Sequence, residues 1–337
     1  MTSIGVVIVS FNTRDLLREC LVSLCGCALP LRVVVVENAS HDGSAALVRE
    51  CFPHVELIEL ERNVGFAAGT NLGLHRLFGS VTRWQGNKVT MLQNDNPVFL
   101  STPHPVTLSV DYVLLLNPDT VVHSGAIEAL AGFLDAHPRV GAVGPRLLNR
   151  DGTVQSAAFR FPTLLMSALD LFPPGEALPG RLYHSWWHGH YPHEQRAETP
   201  FAIDHPLGAC ILTRRAAIEQ IGGLDEQFFM YAEEVDWCYR LRQAGWSIWQ
   251  EPRARVTHMG GAATSQFRTK MLIALYESRL RFFRKHYSRS FIRLHRMILQ
   301  AGVLRAALLA WRDYIRGRLG RDELRSRLWA YGKIFQL

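Results

Sequence analysis

Continuous apolar runs alternate with helical patterns over the first part of the chain. Val6–Val9, Val33–Val36 and Tyr112–Leu116 are uninterrupted, whereas Val55–Leu60 mixes apolar and acidic positions. Uninterrupted runs of this length are typical of parallel strands buried on both faces. Segments with helical periodicity lie between them: Asp15–Leu24, Ser44–Cys51 and Thr70–Phe78. This alternation predicts an α/β fold with a mostly parallel central sheet and right-handed crossovers.

The alternation stops at residue 79. Residues 79–110 mix polar, Pro and Gly positions, where a connection of roughly 2–6 residues is normal. We interpret the segment as an insertion near the acceptor side, with a mobile loop as the alternative. Residues 159–200, rich in Pro, Trp and His, are expected to be irregular and to face a substrate. The remaining predicted elements are strands at 138–144 and 207–213, a helix at 233–243 and strands near 247–249 and 255–258.

Charge is distributed unevenly, which suggests two parts. Residues 268–337 contain 17 Lys+Arg and 4 Asp+Glu, a net charge of +13, whereas the rest holds 20 and 26, a net charge of −6. We predict a catalytic domain over residues 1–265 and a basic, amphipathic helical tail over residues 266–337, a C-terminal helical appendage to the fold.

The tail has no apolar run near the roughly 20 residues that a spanning helix requires. Its apolar side chains are interleaved with arginines: Phe282, Phe283, Leu294, Ile298, Leu304, Leu308 and Trp311. A basic tail can bind nucleic acid or an anionic membrane, and this interleaving favours helices lying in the membrane interface, without a nucleic-acid partner. The alternative is an ordinary packed helix pair with a solvated basic face.

The cysteines and the N-terminus bear on the compartment. Six cysteines lack a paired framework, which suits a reducing compartment. Met1 leads directly into an apolar strand, so we expect no secretory signal. Together with the tail, this predicts a cytoplasmic protein held peripherally at the inner face of the plasma membrane.

Polar residues follow the predicted strands where each one leaves the core. The four segments are Ser10–Asn12, Glu37–Ser40, Arg62–Phe66 and Asn117–Asp119. In sheets of this kind, ligands bind beyond the carboxyl ends of the strands. The pattern therefore predicts one binding site, built from all four segments.

These segments belong to an ordered series of motifs: Val9-Ser10-Phe11-Asn12, Val36-Glu37-Asn38-Ala39-Ser40-His41-Asp42-Gly43-Ser44, Asn63-Val64-Gly65-Phe66-Ala67-Ala68-Gly69-Thr70-Asn71, Leu116-Asn117-Pro118-Asp119-Thr120 and Phe229-Met230-Tyr231-Ala232-Glu233-Glu234-Val235-Asp236. The series resembles family 2 glycosyltransferases of the bacterial rhamnosyltransferase-like branch, over about Gly5–Thr264. The resemblance implies a GT-A nucleotide-diphospho-sugar transferase fold, a nucleotide-sugar donor, and direct displacement with inversion at the anomeric carbon.

The residues that we expect around the donor are polar or small. Glu37, where the family more often has Asp, and Asp42 can accept hydrogen bonds from a ribose or base edge, although Asp42 also fits a turn and a helix N-cap. A Gly-rich passage and a helix N-terminus after the third strand suit an anionic group. The full set is Ser10, Asn12, Glu37, Asn38, Ser40, Asp42, Asn63, Gly65, Phe66, Asn71, Asn117 and Gly208.

Asp119 and His258 are the predicted metal ligands. A hard cation, Mg²⁺ or Mn²⁺, would join Asp119 to the donor phosphates. The family's acidic motif usually has Asp at both outer positions, and Asn117 replaces the first, so we expect metal affinity to depend on the donor. The resemblance places a metal-binding histidine at His258. A helix N-cap at Asp119 and a structural role for His258 are the alternatives.

The catalytic base is expected in the acidic run that starts the 233–243 helix. Glu233, Glu234 and Asp236 all complement the helix dipole, which is the simpler interpretation. Transfer also requires a base to take the proton of the acceptor hydroxyl. The family usually has Glu-Asp at Glu233-Glu234, and its second carboxylate is the base. We therefore assign Glu234, with Asp236 as second choice.

The predicted enzyme is thus a metal-assisted inverting hexosyltransferase. The resemblance favours dTDP-rhamnose as donor, with UDP-sugars next, and a lipid-linked or cell-wall glycan as acceptor. One rival function is a sugar nucleotidylyltransferase, which should carry a Gly-rich loop with Arg and Lys after the first strand; Ser10-Phe11-Asn12 does not provide it. The other is a glycan- or nucleic-acid-binding module without turnover, acting through the basic tail.

Overall fold

The computed structural model describes residues 2–79, 99–101, 110–173, 182, 185–260 and 268–337. Most of the predicted insertion at 79–110 lies outside these residues. Two compact units are present: Met1–Phe159 with His193–Phe229 and Glu233–Ala263, and Arg160–Pro192 with Met230–Ala232 and Thr264–Leu337.

The first unit contains the strands. Their order in the main sheet is β10-β13-β7-β12-β5-β1-β2-β3-β4, with β6 paired to β13 and β8 to β7, while β9 and β11 pair separately. The bounds are β1 Ile4–Ser10, β2 Leu31–Glu37, β3 Glu56–Glu59, β4 Phe99–Ser101, β5 Tyr112–Leu116, β6 Thr120–Val122, β7 Val140–Leu148, β8 Val154–Gln155, β9 Ala158–Phe159, β10 Phe201–Ile203, β11 His205–Pro206, β12 Cys210–Arg214 and β13 Ser247–His258.

In the described part of the chain, six α-helices belong to this unit: α1 Arg14–Leu24, α2 Ser44–Cys51, α3 Phe66–Phe78, α4 Ala126–Ala136, α6 Arg215–Ile221 and α7 Glu233–Gln243. Strands β3, β2, β1 and β5 pair in parallel, whereas β12 runs antiparallel between β5 and β7. The prediction of an α/β fold with a mostly parallel central sheet is confirmed.

Side chains of the central strands alternate between the two faces of the sheet. In β1, Val6 and Ile8 join one apolar cluster with residues of α1, α2 and α4. Val7 and Val9 join a second cluster with residues of α3 and α7. Because a strand has a period of two residues, an uninterrupted apolar run fills both clusters at once. The central strands are therefore fixed between two layers of helices, and their carboxyl ends are left free to carry a site.

The second unit is helical and has its own small core. It contains α5 Leu164–Leu171, α8 Arg268–His286, α9 Arg289–Ile315 and α10 Arg321–Phe335. Leu299, Val303 and Ile334 are buried together, and Leu171 and Tyr331 pack against them. Among the described residues, no helix is both long and apolar enough to cross a membrane.

Several element boundaries differ from the sequence-based expectation. Helix α3 begins at Phe66, four residues before the predicted start at Thr70. Its N-cap is Gly65, so residues 66–69 form its first turn. The two strands expected near 247–249 and 255–258 are one strand, β13. It shifts register against β7 between Glu251 and Arg255, around Pro252. The segment expected to be irregular at 159–200 includes the helix α5.

Candidate active site

Asn38 joins the ends of three strands. Its backbone N–H donates to the carbonyl of Ser10 at 2.8 Å. Its side-chain Nδ2 donates to Asn63 Oδ1 at 3.1 Å and to the carbonyl of Gly65 at 3.3 Å, and its Oδ1 accepts from the N–H of Val64 at 2.8 Å. The side chain is buried, so these bonds remain protected from water. Asn38 therefore fixes the loops that follow β1, β2 and β3 against one another.

Glu37 ends β2 and turns its carboxylate back onto the following loop. Both oxygens accept from the N–H of Ser40 at 3.0 Å, and the Ser40 hydroxyl also donates to Oε1. Burial raises the pKa of Glu37 despite these hydrogen bonds, and the nearby carboxylates of Asp42 and Glu59 act in the same direction. Glu37 is thus held in one orientation at the edge where a nucleoside was predicted.

Asp42 and Asn12 connect the β1 and β2 loops. Asp42 accepts from the N–H of Arg14 at 2.8 Å and from the N–H and hydroxyl of Ser44 at 3.0 and 2.5 Å. Partial burial opposes ionisation, but these donors outweigh it and lower the pKa of Asp42. Asn12 donates its N–H to Ser40 Oγ at 2.8 Å and accepts from the N–H of His41 at 2.9 Å. Asp42 therefore bonds the first residue of α2 from the position before the N-cap, which is Gly43.

Gly65 allows a close approach between two parts of the site. Its φ is +87°, and a Cβ there would lie 2.5 Å from the carbonyl oxygen of Phe229. That oxygen accepts from the N–H of Phe66 at 2.9 Å. Only glycine combines this conformation with this contact. The passage into α3 is thus joined to the segment that precedes α7.

Asn71 bonds the protein with both atoms of its amide. Its Nδ2 donates to the carbonyl of Leu224 and to Oε1 of Glu226, both at 2.9 Å, and its Oδ1 accepts from the N–H of Leu224 at 2.9 Å. These contacts hold α3 to the 224–226 loop. They give Asn71 a structural task beside the donor contact predicted for it.

Sheet pairing brings Asp119 next to His258. The chain turns at Asn117–Asp119 between β5 and β6, and β6 pairs antiparallel with β13 so that Thr120 lies opposite His258. The N–H of Met259 donates to the carbonyl of Asp119 at 2.9 Å. As a result, Nε2 of His258 lies 3.4 Å from Oδ1 of Asp119, and both side chains are buried.

Gln155 orients the imidazole and was not found from the sequence. Its Oε1 lies 2.8 Å from Nδ1 of His258, and its Nε2 donates to Oδ1 of Asn149 at 3.1 Å. The bond to Asn149 fixes which end of the amide faces the ring. The proximity arises because β8 and β13 pair with opposite sides of β7, and no local motif around Gln155 could indicate it.

The Asp119–His258 pair suits a divalent cation. With Nδ1–H donating to Gln155, Nε2 presents a lone pair toward the Asp119 carboxylate, so either a proton or a cation must lie between two groups that both accept. A metal-bound histidine usually donates its other ring N–H to an acceptor, which orients the ring. In the described part of the chain, no group of three or more His, Cys, Asp or Glu side chains could hold a metal ion. Among the described residues the pair thus offers two ligands, and a bound donor or water could supply others.

Gly208 places Glu234 beside this turn. The N–H of Asn117 donates to the carbonyl of Ala209 at 2.9 Å. A Cβ on Gly208 would lie 3.3–3.5 Å from three side-chain carbons of Glu234. The absence of a side chain at Gly208 lets the Glu234 side chain pack directly over the backbone next to Asn117. The predicted metal anchor and the predicted base thus lie at the same edge of the sheet.

Glu233 and Glu234 form a coupled acidic pair at the start of α7. Burial raises the pKa of Glu233 well above its usual range, and the adjacent Glu234 carboxylate adds to this. Burial also raises the pKa of Glu234, while the backbone N–H groups of Glu234, Val235 and Gly208 oppose the shift. Among the described residues, Oε2 of neither side chain has a hydrogen-bond partner. Of the two, Glu234 is the one whose ionised form also accepts a hydrogen bond from outside α7, from Gly208 in the turn between β11 and β12.

Asp236 is committed to an ion pair. Its Oδ2 accepts from Nε of Arg240 at 2.8 Å, and its side chain is fully buried. Arg240 donates further to the carbonyls of Ile221 and Gly223, each at 2.7 Å. This network joins α7 to the end of α6 and removes Asp236 from easy contact with an acceptor. The second-choice base is therefore better explained as structural.

Unusual backbone conformations concentrate in these loops. Among the described residues, four non-glycine residues have positive φ: Asn12, Ala39, Tyr231 and Ala232. All four lie in the polar motifs that carry the predicted site residues. Such conformations cost of order 1–3 kcal/mol each and cluster at functional sites, which supports the location of the site independently of side-chain identity.

Known proteins agree with the fold and family. A family model described as "Glycosyltransferase like family 2" matches residues 2–281. The chain is 28% identical over 285 residues to the N-acetylglucosaminyl-diphospho-decaprenol L-rhamnosyltransferase of Mycobacterium tuberculosis, and the match spans 84% of each protein. It is 25% identical over 251 residues to the low-salt glycan biosynthesis hexosyltransferase Agl10 of Haloferax volcanii, spanning 74% of this chain and 65% of that protein.

A solved structure extends this agreement to the fold. The mannosyltransferase of Pyrobaculum calidifontis, in complex with GDP-Man and Mn²⁺, superposes with a TM-score of 0.52 at 16% identity, over 99% of this chain and 86% of that one. The predicted GT-A fold and the predicted resemblance are confirmed. Since the family model covers most of the chain, the protein belongs to glycosyltransferase-like family 2.

Proposed function

We propose that this family 2 glycosyltransferase moves a hexose, with rhamnose as the first candidate, from a nucleotide-diphosphate donor to a hydroxyl of a lipid-linked or cell-wall glycan, with inversion. The observation that carries the proposal is the placement of Glu234, through Gly208, beside the turn that bears Asp119. The relative from M. tuberculosis is named as an L-rhamnosyltransferase of a decaprenol-linked sugar, which supports this choice of donor sugar and acceptor class.

In this proposal the chain divides the chemistry between two groups. Asp119 and His258 would hold Mn²⁺ or Mg²⁺, which would neutralise charge on the departing diphosphate. The imidazole nitrogen favours Mn²⁺ over the harder Mg²⁺. Glu234 accepts the proton of the acceptor hydroxyl as that oxygen attacks the anomeric carbon. Attack from the face opposite the diphosphate gives inversion.

The donor nucleoside is assigned to the loops after β1 and β2. Glu37 is buried at the end of its strand, and Ser40 and Asn12 are bonded to each other. The N–H and hydroxyl groups of a dTDP or UDP moiety can donate hydrogen bonds to carboxylate and amide oxygens. Hydrogen bonds already hold these loops in place, so binding of a base would cost little additional conformational entropy. This supports recognition of a defined base.

The assignment of domains and location also remains a proposal. We propose residues 1–265 as the catalytic domain and residues 266–337 as a basic tail that holds the enzyme peripherally at the inner face of the plasma membrane. The tail's net charge of +13 supports attraction to anionic lipid. A lipid-linked acceptor would be found at the same surface.

A donor panel tests the function. Purified protein is incubated with dTDP-rhamnose and UDP-sugars, and nucleotide-diphosphate release is measured with Mn²⁺, with Mg²⁺ and with a chelator. We expect acceptor-dependent release from one donor, greatest with Mn²⁺ and abolished by the chelator. Metal-independent binding without release from any donor would instead support a binding module, and unaltered release in the chelator would refute the metal assignment alone.

A further inference from the structure

Helix α9 carries an exposed apolar stripe along its whole length. Six large side chains on it are 46–79% exposed: Leu294, Met297, Leu304, Leu308, Trp311 and Ile315. Ala301, also exposed, completes a spacing of alternating three and four residues. Residues at this spacing lie on one face of a helix, and the stripe extends over roughly 30 Å.

The opposite face of α9 is already used for packing. His295, Leu299, Gly302, Val303 and Ala310 are buried within the helical unit. These positions lie about half a turn around the helix from the stripe, given 100° per residue. The stripe is therefore not the margin of the buried face but a second apolar face on the opposite side of α9.

Arginines flank the stripe, and among the described residues few acidic side chains lie near them to neutralise their charge. Arg293 and Arg312 are exposed beside it, and Arg316 follows the end of the helix. Asp313 is the single acidic residue of α9, and it is paired with Arg312 at 3.1 Å. A face with an apolar centre, an exposed tryptophan and cationic margins is the signature of a helix that lies in the interface of an anionic bilayer.

The same spacing could also suit a two-stranded coiled coil with a second copy of the chain. Coiled coils place complementary charges beside the apolar seam. Here the margins are arginine without matching acid, so pairing two copies would bring like charges together. The charge pattern therefore selects an anionic surface over a second copy.

We propose that the stripe from Leu294 to Ile315, with its flanking arginines, is the surface by which this protein docks onto anionic membrane. This deepens the proposed function, because it assigns peripheral attachment to one face of one helix rather than to the charge of the tail as a whole. The leucines enter the acyl boundary while the arginines remain with lipid phosphates. Both contributions are required for stable attachment, as expected for an interfacial helix without a lipid anchor.

Vesicle flotation of the full-length protein at about 0.15 M salt, where long-range attraction is screened, tests the proposal. Vesicles of phosphatidylcholine alone are compared with vesicles containing phosphatidylglycerol. We expect binding to the anionic vesicles, a drop of at least about tenfold in Leu304→Ser/Leu308→Ser, and loss of the preference for anionic lipid in Arg293→Gln/Arg312→Gln. Since these side chains are exposed, the variants should retain the thermal stability of the parent.

Val22→Ser/Arg18→Gln is the matched control, because it removes an exposed apolar residue and an exposed arginine from α1. Equal flotation of the control and the parent is expected. The proposal is overturned if the parent protein does not float with anionic vesicles, or if the double leucine variant floats as well as the parent. It is also overturned if light scattering shows a parent dimer that the leucine variant dissociates.

Release of nucleotide diphosphate with a detergent-dispersed acceptor is measured on the same variants. We expect it to be unchanged, because α9 carries none of the predicted catalytic or donor-binding residues. Flotation without release would refute the proposed function while leaving the docking surface intact, and release without flotation would do the reverse.

Discussion

Glu234 combines a buried carboxylate with three backbone N–H donors at the start of a helix. Burial raises the pKa of this carboxyl while the N–H donors favour its ionised form, and a carboxylate of raised basicity suits the role of a general base. We expect Glu234→Gln to lower kcat by about 10²–10⁴-fold with little change in donor affinity. Steady-state turnover and calorimetric titration of the donor nucleotide measure the two quantities.

Glu234→Asp keeps a carboxylate at this position and should retain a substantial part of kcat. Because burial raises the pKa of Glu234 and the base must be ionised, kcat should rise with pH through a value above that of an ordinary glutamate. Glu219→Gln, an exposed carboxylate on α6, serves as control. A Glu234→Gln enzyme with unaltered turnover, or a large loss confined to Glu233→Gln, would contradict the assignment.

Gln155 determines which ring nitrogen of His258 is free to bind a cation. Replacing it by Met preserves volume but removes the acceptor for Nδ1–H, so the imidazole can rotate or change tautomer. Loss of the hydrogen-bond partner of a metal-binding histidine typically lowers metal affinity by about 10–100-fold. We therefore predict that Gln155→Met weakens Mn²⁺ binding by about this factor, as measured by electron paramagnetic resonance titration in the presence of nucleotide diphosphate.

Gln243→Met, at the exposed end of α7, should bind Mn²⁺ like the parent. Equal Mn²⁺ affinity in Gln155→Met and the parent would mean that the bond to His258 is structural only. The readout is binding rather than turnover, so an inactive preparation does not obscure it.

A buried ion pair helps to hold the helix α7 in place. Asp236 and Arg240 lie one turn apart, and removal of one partner leaves a buried charge without compensation, which typically costs about 3–5 kcal/mol. Asp236→Asn should therefore lower the thermal unfolding temperature of the enzyme while the molecules that remain folded still turn over. Calorimetry and turnover per folded molecule separate these effects.

Asp15→Asn is matched to this change, because Asp15 also lies in the first turn of a helix but is 91% exposed. Loss of its helix-dipole contribution should cost less than about 1 kcal/mol. If Asp236→Asn kept its stability and lost turnover, Asp236 rather than Glu234 would be the better choice of base.

His295 makes the contact between α8 and α9 sensitive to acid. The ring is fully buried against Phe283, with 4.6 Å between ring centroids, and neither nitrogen has a hydrogen-bond partner among the described residues. Burial lowers its pKa to about 4, and the charge of Arg279 acts in the same direction. Protonation of His295 is therefore less favourable in the folded protein than in the unfolded chain, where an ordinary histidine has a pKa of about 6.5.

The contribution of His295 to stability is complete above about pH 6.5 and is lost as the pH falls toward 4. We expect it to make the parent about 2 kcal/mol less stable at pH 5 than at pH 7.5, and His295→Met to lack this part of the pH dependence. Denaturant unfolding of both proteins at the two pH values measures it. His54→Met, at an exposed histidine, should resemble the parent, and an identical pH dependence in His295→Met would contradict the prediction.

The bounds of elements with a continuous apolar pattern could be predicted well from the sequence. The bounds of strands that depend on pairing with a distant strand could not. The runs in β1, β2 and β5 and the helix at Ser44–Cys51 follow from local periodicity. Local periodicity does not predict that β13 is a single strand, because Pro252 interrupts its pattern. The strand is continuous because it pairs with β7 on both sides of this irregularity.

At the scale of the whole molecule, the site depends on strand order. The sequence predicts polar strand ends, but it does not reveal that β12 inserts antiparallel between β5 and β7, which brings Gly208 to the edge where Asn117 lies. Nor does it reveal that β6 pairs with β13, which brings His258 to Asp119. The candidate site residues can therefore be proposed as a set from their motifs, whereas the partner Gln155 emerges only from long-range topology.

The donor and the metal should bind as one unit, because Asp119 and His258 are the two ligands proposed among the residues that the structure describes. Six-coordinate Mn²⁺ would take most of its remaining ligands from phosphate and water. We predict that nucleotide diphosphate raises Mn²⁺ affinity and that Mn²⁺ raises nucleotide affinity by the same factor, a coupling of about 1–3 kcal/mol. Isothermal titration calorimetry of each ligand, with and without the other, tests this reciprocity.

Asp119→Asn should reduce this coupling while leaving the metal-independent part of nucleotide binding, which is assigned to the loops after β1 and β2. Asp111→Asn is the control on the same segment of chain, since Asp111 precedes β5 and Asp119 follows it. Coupling that survives in Asp119→Asn would place the cation elsewhere. If the parent itself shows no coupling, Asp119 and His258 form a simple ion pair, and the charge of the departing diphosphate must be neutralised by other groups.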